Sequence, residues 1–155
     1  MAPTPEAWHE AGHALAAHLC GGTVREVTLE SELDDHGGHV AVEWRPAGRE
    51  ESARRSLTVA LAGPIAELVF VGDDALDDPD AASAWRADWA EAESQLAQLS
   101  DDAEERTAPR RRAVSELRRS FESADGYARL ARIADALDAH ETLDETLFFD
   151  ALGPD

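Results

Sequence analysis

Lysine is absent from the 155-residue sequence, and cysteine occurs once, at Cys20. A single thiol excludes an internal disulfide framework and cysteine-rich zinc sites. Any metal must therefore be held by histidine and carboxylate, a donor set that suits a catalytic site better than a structural one. Cys20 itself, followed by Gly21 and Gly22, reads as a small buried or capping residue at a helix end rather than as a nucleophile. Long apolar runs are also missing. The best candidate, Leu57 to Val71, is broken by Pro64 and carries Glu67, so no membrane insertion is expected. The stretch before the first apolar run lacks the basic region of a secretory signal, which makes a cytoplasmic location the expectation. Positive charge is scarce: 14 arginines face 33 acids, for a formal net charge of −19. That balance argues against nucleic acid or an anionic membrane as a partner. The basic group Arg110, Arg111, Arg112, Arg118 and Arg119 lies opposite Val114, Leu117 and Phe121 on a helical pattern, so it reads as a solvated face paired with nearby acids.

What is present is the patterning of one mainly α domain over residues 1–155, long enough to bury a core. Thr4, Pro5 and Glu6 form a helix start, with the hydroxyl as cap and proline in the first turn. The helix is expected to run to about Cys20 and stop at the glycine pair. "TVREVTLE" alternates imperfectly at Val24, Val27 and Leu29, and "HVAVEW" more cleanly at Val40, Val42 and Trp44. The two read as strands of a hairpin joined by the turn-rich "SELDDHGG". From about Arg49 to Val71 the pattern is helical and apolar, with a kink or break expected at Pro64. Further helices are expected near Ala81–Leu99, Pro109–Ser123 and Asp125–His140. Thr142 through Glu145 fits a capping box opening a last short helix.

The chemistry concentrates in "HEAGHAL". On a helix, His9 and His13 stand one above the other and can offer two imidazoles to one ion. Glu10 projects beside them, within reach of a proton on a water held there. A catalytic metal of this kind needs a third protein ligand. The metzincin spacing fails, because its glycine and histidine positions hold Ala16 and Leu19. A glutamate twenty residues after the second histidine is also missing, since Leu33 stands there. His18 points elsewhere on the helix by its spacing and reads as a surface or second-layer residue. His36 and His39 fall in the hairpin loop, where they read as exposed or as lining a cleft. Two acids stand out as alternatives: Glu67, in an apolar segment where an unpaired carboxylate is costly, and Asp88, between Trp85 and Trp89.

In order along the chain, "HEAGHAL", "VREVTL", "ALAGPIAELVF", "ADWAEAESQLAQL" and "LARIADALDAHETLDETLFFDAL" resemble the peptidase domain of the FtsH-type ATP-dependent zinc proteases. The family counterparts are its "LAGRxAEE" segment, its Asp-bearing "NDLxxAT" helix and its "LxxxETLD" ending. The resemblance implies an FtsH-peptidase-like helical metallopeptidase fold with a small β-hairpin. It implies zinc held by His9, His13 and Asp88, with Glu10 as general base. Glu67 matches the glutamate of the family's "AE" segment, which implies support for a histidine ring, or else the third-ligand position. Pro64 replaces the family's arginine, and the sequence has no Gly-rich phosphate loop, so the implied stand-alone activity is ATP-independent.

The expectation is a zinc metallopeptidase-like hydrolase acting on a peptide or protein substrate, with an extended peptide adding along the strand edge at Val40–Glu43. A separate partner protein could deliver that substrate. Two alternatives stay open: a non-proteolytic zinc-binding interaction domain, and a repurposed zinc enzyme acting on a small molecule.

Overall fold

The first helix, α1 (Pro5–Leu19), starts as its sequence dictates: the Thr4 hydroxyl accepts from the amide of Ala7, and Pro5 occupies the first turn. Its last turn closes on Cys20, whose amide donates to the carbonyl of Ala16, and Gly21 follows with φ +91°. Ten residues of α1 are buried, His9 and Glu10 among them. A face so small and so deeply covered needs close neighbours, and Gly12 admits one. A Cβ there would lie 2.5 Å from the carbonyl oxygen of Ala62 and 2.5 Å from the Cβ of Ala66. The computed structural model describes residues 3–30, 38–73 and 79–153, which include six helices and a three-stranded antiparallel sheet.

The neighbour that Gly12 meets is α2 (Arg49–Val71), which runs unbroken through Pro64. The expected break does not occur. Proline in a helix interior costs about 3 kcal/mol, chiefly through one lost hydrogen bond and a ring clash. Leu57, Leu61, Ile65 and Leu68 are all buried on the same helix. Each contributes about 1.5–3 kcal/mol on burial, so together they outweigh the proline. Helix α3 (Pro79–Leu99) packs against α2, as does α4 (Thr107–Glu122), while α5 (Ala124–His140) packs against α1. The arginine-rich face of α4 is solvated as expected, with Arg118 bridging Glu122 and Asp73, and Arg110 paired with Glu93.

The hairpin expected from the sequence is present as β1 (Thr23–Thr28) and β2 (His39–Glu43), paired antiparallel. The imperfect alternation of β1 has a physical cause. Its register shifts between Val24 and Glu26, so the extra residue Arg25 bulges out and both Val24 and Val27 face the core. The ending of the chain corrects one expectation. Thr142 does not cap a helix: residues Thr142–Asp144 form β3, which pairs antiparallel with β1 and buries Leu143. The cap of α6 (Glu145–Leu152) is Asp144, whose carboxylate accepts from the amide of Leu147 at 2.8 Å. The strand order is therefore β2-β1-β3, which leaves one edge of β2 without a partner strand among the described residues.

Candidate metal centre

Three helices converge on one point. His9 and His13 extend from α1 with ring centroids 4.8 Å apart. Asp88 extends from α3, placing Oδ2 2.7 Å from His9 Nε2 and Oδ1 3.4 Å from His13 Nε2. From α2 come two groups that hold the rings from behind. Glu67 Oε1 lies 2.9 Å from His9 Nδ1, and the backbone carbonyl oxygen of Val59 lies 2.7 Å from His13 Nδ1. A carbonyl only accepts, so Nδ1 of His13 carries the proton and Nε2 is turned to the common point. The same logic at His9 has Nδ1–H donating to the Glu67 carboxylate. Both imidazoles thus present Nε2 to the same space, each tied at its other nitrogen, as histidines that ligate metals are.

That space is open toward α2 because residue 63 is glycine. A Cβ built at Gly63 would sit 2.4 Å from His13 Nε2 and 2.7 Å from His9 Nε2. Imidazole nitrogens bind zinc at about 2.0–2.1 Å, so the bare Cα leaves a cradle that any side chain would fill. One ligand atom each from His9, Glu10 and His13 also lie within 4.8 Å of one another. The donor set and the cradle fit a divalent cation bound by imidazole and carboxylate.

The electrostatics make the same demand for positive charge. Burial alone would lower the pKa of His9, but hydrogen bonds to Asp88 and Glu67 outweigh it and raise the value from 6.5 to about 10. His13 behaves alike, with burial opposed and overcome by Asp88. Burial would raise the Asp88 carboxyl, yet the two histidines hold it well below the usual carboxylate range. Without a metal, these groups satisfy one another by taking up protons. Glu10 differs: burial pushes its carboxyl up, against the pull of the two histidines, which favours a group that accepts a proton readily.

These side chains line a cleft of about 720 Å³, together with Leu29 just after β1, Val40 and Val42 of β2, and Trp44 just after it. The sequence-derived candidates His9, Glu10, His13, Glu67 and Asp88 all meet here, and His39 lines the cleft as well. His18 does not. Its ring contacts Phe148 and Phe149, with centroids 6.2 and 6.1 Å away. His36 lies outside the described residues. The partners of Asp88 are the two histidines.

Three features escaped the sequence reading. Gly63 forms the cradle, the Val59 carbonyl orients His13, and Gly38 lies against Glu10, where a Cβ would come within 2.0 Å of Oε1. Only the glycines carry a sequence signal, and it marks a close approach without saying to what.

The chain matches no protein-family model, and no curated protein matches it.

Proposed function

We propose that this protein is a metal-dependent hydrolase of peptide or related amide bonds, with zinc as the ion and a helical metallopeptidase fold of the FtsH-peptidase kind. The observation that carries the reading is the convergence of His9 Nε2, His13 Nε2 and Asp88 on the cradle left by Gly63, with Glu10 beside it. A structural site has no use for a buried carboxylate that neither binds the ion nor supports a ligand. A hydrolytic one does.

His9, His13 and Asp88 would hold the ion, which when bound supplies Lewis acidity to a carbonyl and lowers the pKa of water toward neutrality. Glu67 and the Val59 carbonyl fix the two rings so that Nε2 stays a ligand. Glu10 takes the proton from the attacking water and later passes it to the leaving amine, a role suited to a carboxyl whose pKa burial has raised. Val40 and Val42 of β2 line the cleft, and the edge of β2 that has no partner strand among the described residues offers an extended peptide backbone a partner. Among the described residues no helix is long and apolar enough to cross a membrane. A cytoplasmic site of action and a separate partner that delivers substrate belong to the same proposal.

The test begins with elemental analysis of untagged protein, alone and as Asp88→Ala, followed by cleavage of a fluorescence-quenched peptide library. The reading requires about one zinc per chain, lost in the variant. It also requires library cleavage that falls by about two to four orders of magnitude in Glu10→Gln while zinc is retained. Zinc without any cleavage would leave a metal-binding domain. Zinc kept by Asp88→Ala would move the third ligand to Glu67.

A further inference from the structure

The cleft carries more acid than the chemistry uses. Five carboxylates line it, from Glu6, Glu10, Glu67, Asp88 and Glu91, and no arginine does among the described residues. Three of the five have work at the centre. Glu67 supports His9, Asp88 faces both histidines, and Glu10 is buried beside them. Glu6 and Glu91 have none.

Their placement is regular. Glu6 precedes His9 by three residues and Glu10 by four, so it stands on the same face of α1, one turn nearer the N-terminus. Glu91 follows Asp88 by three and stands one turn further along α3. Each of the two ligand-bearing helices thus sets one exposed carboxylate a single turn from its metal ligands, at the rim of the same cleft. Neither makes an ion pair with a described residue, though Glu91 accepts a hydrogen bond from Gln95 Nε2 at 2.7 Å. Helix polarity accounts for an acid in the first turn of α1. It does not account for Glu91, in the middle of α3. Arg55, which lies against Trp44 of the cleft lining, is stacked 4.6 Å over its ring, gives a hydrogen bond to the carbonyl of Arg45, and does not line the cleft.

Five carboxylates outweigh the charge of one dication, so the cleft stays electronegative even when a metal is bound. The rest of its lining is mostly apolar, from Leu29, Val40, Val42, Trp44, Val59 and Ala60, with Ser56 and His39 beside the two ligand histidines. Resting on the hydrolase reading of the same site, we propose that the cleft selects peptides carrying a basic side chain within a few residues of the cleaved bond, and that Glu6 and Glu91 determine this specificity. An arginine or lysine side chain suits both features, since its aliphatic stem packs on the apolar wall while its charged head reaches a rim carboxylate. The rim is exposed, so each pair is worth about a two- to fivefold preference, and salt weakens it.

The experiment separates selection from catalysis. Zinc-loaded Glu10→Gln protein is titrated against two pools of short fluorescein-labelled peptides, random except for one fixed arginine or one fixed glutamate, and binding is read by fluorescence anisotropy. The arginine pool is expected to bind at least about threefold more tightly at low salt. The gap should shrink at high salt and close when Glu6→Gln and Glu91→Gln are added, with helix content and zinc content unchanged. Equal affinities, a preference for the glutamate pool, no binding by either pool, or a preference that survives the two added substitutions would overturn the proposal. If the arginine pool is preferred yet the wild-type protein cleaves neither pool, the hydrolase reading fails and the charge selectivity of the cleft stands.

Discussion

His9 Nδ1 and Glu67 Oε1 lie 2.9 Å apart, across the interface between α1 and α2, and both side chains are buried. The bond fixes the ring plane and raises the electron density at Nε2, the nitrogen turned toward the cradle. Removing the carboxylate while leaving the ring is therefore expected to weaken zinc binding by about ten- to a hundredfold. Glu67→Gln keeps an oxygen that can accept from Nδ1 and should lose less than Glu67→Ala. A competition titration with a chromophoric chelator measures both. Equal affinities in wild type and Glu67→Ala would show that Glu67 does not orient the ligand.

Gly63 offers a test that changes none of the donor residues. Alanine there puts a Cβ within 2.4 Å of His13 Nε2 and 2.7 Å of His9 Nε2, in the volume an ion needs. Alanine also favours the helix over glycine by about 1 kcal/mol. Gly63→Ala is thus expected to lose zinc, by elemental analysis, while keeping its helical circular dichroism. Full zinc occupancy in that variant would mean that the ion sits somewhere other than the cradle.

The legible and illegible parts of this molecule divide by how local their causes are. His9 and His13 were readable because four residues on a helix is a fixed geometry, and Thr4 because a cap acts on the next turn. The hairpin was readable from β2, whose alternation is clean. It was harder from β1, where the bulge at Arg25 sets Val24 and Val27 on one buried face although strand periodicity puts like positions an even number of residues apart. Thr142 misled because a hydroxyl three residues before Glu145 has the spacing of a capping box. Only its pairing with Thr28, with hydroxyl oxygens 2.8 Å apart, identifies a strand. Of the two outcomes expected at Pro64 the break is the one that does not occur, since the burial that holds α2 together comes from other elements. Asp88 stands out in the sequence as an acid between two tryptophans and takes the ligand role only by resemblance, because its approach to His9 across 79 positions of sequence is a matter of packing that periodicity does not encode.

The acid–base balance of the centre predicts how metal-free protein responds to pH. His9 has its pKa raised from 6.5 to about 10, because the Asp88 and Glu67 carboxylates overcome the cost of burial. A raised pKa means that the stabilisation is fully present below 6.5 and is lost as pH climbs toward 10. His13 acts in the same direction. Asp88, held below its usual range, contributes above pH 3.8 and loses that contribution only in stronger acid. The melting temperature of metal-free protein should accordingly fall between about pH 6.5 and 10. Zinc replaces the protons as the source of positive charge, so zinc-loaded protein should lose much of this alkaline decline and become acid-sensitive instead. Scanning calorimetry with chelator and with zinc reads both curves. Parallel curves would sink the idea that one set of groups binds proton and metal in competition.

Gly38 bears on Glu10 rather than on the ion. It lies immediately before β2, and a Cβ there would stand 2.0 Å from Oε1 and 2.2 Å from Cδ of Glu10. A flexible, solvated glutamate would swing aside at little cost. Glu10 is only 8% exposed and is enclosed by the histidines and the strand, so its displacement would shift the proton acceptor relative to the substrate water. Misplacement of a catalytic group by about 1 Å can cost up to a hundredfold in rate. Gly38→Ala is therefore expected to lower kcat by about one to two orders of magnitude, with zinc content unchanged and KM little altered. The alternative response is for the strand to move away and Glu10 to stay. That would open the cleft wall formed by Val40 and Val42, raise KM and spare kcat. Steady-state kinetics on one fluorogenic peptide distinguishes the two, and a rise in KM at constant kcat would show that Gly38 shapes the cleft without holding the base.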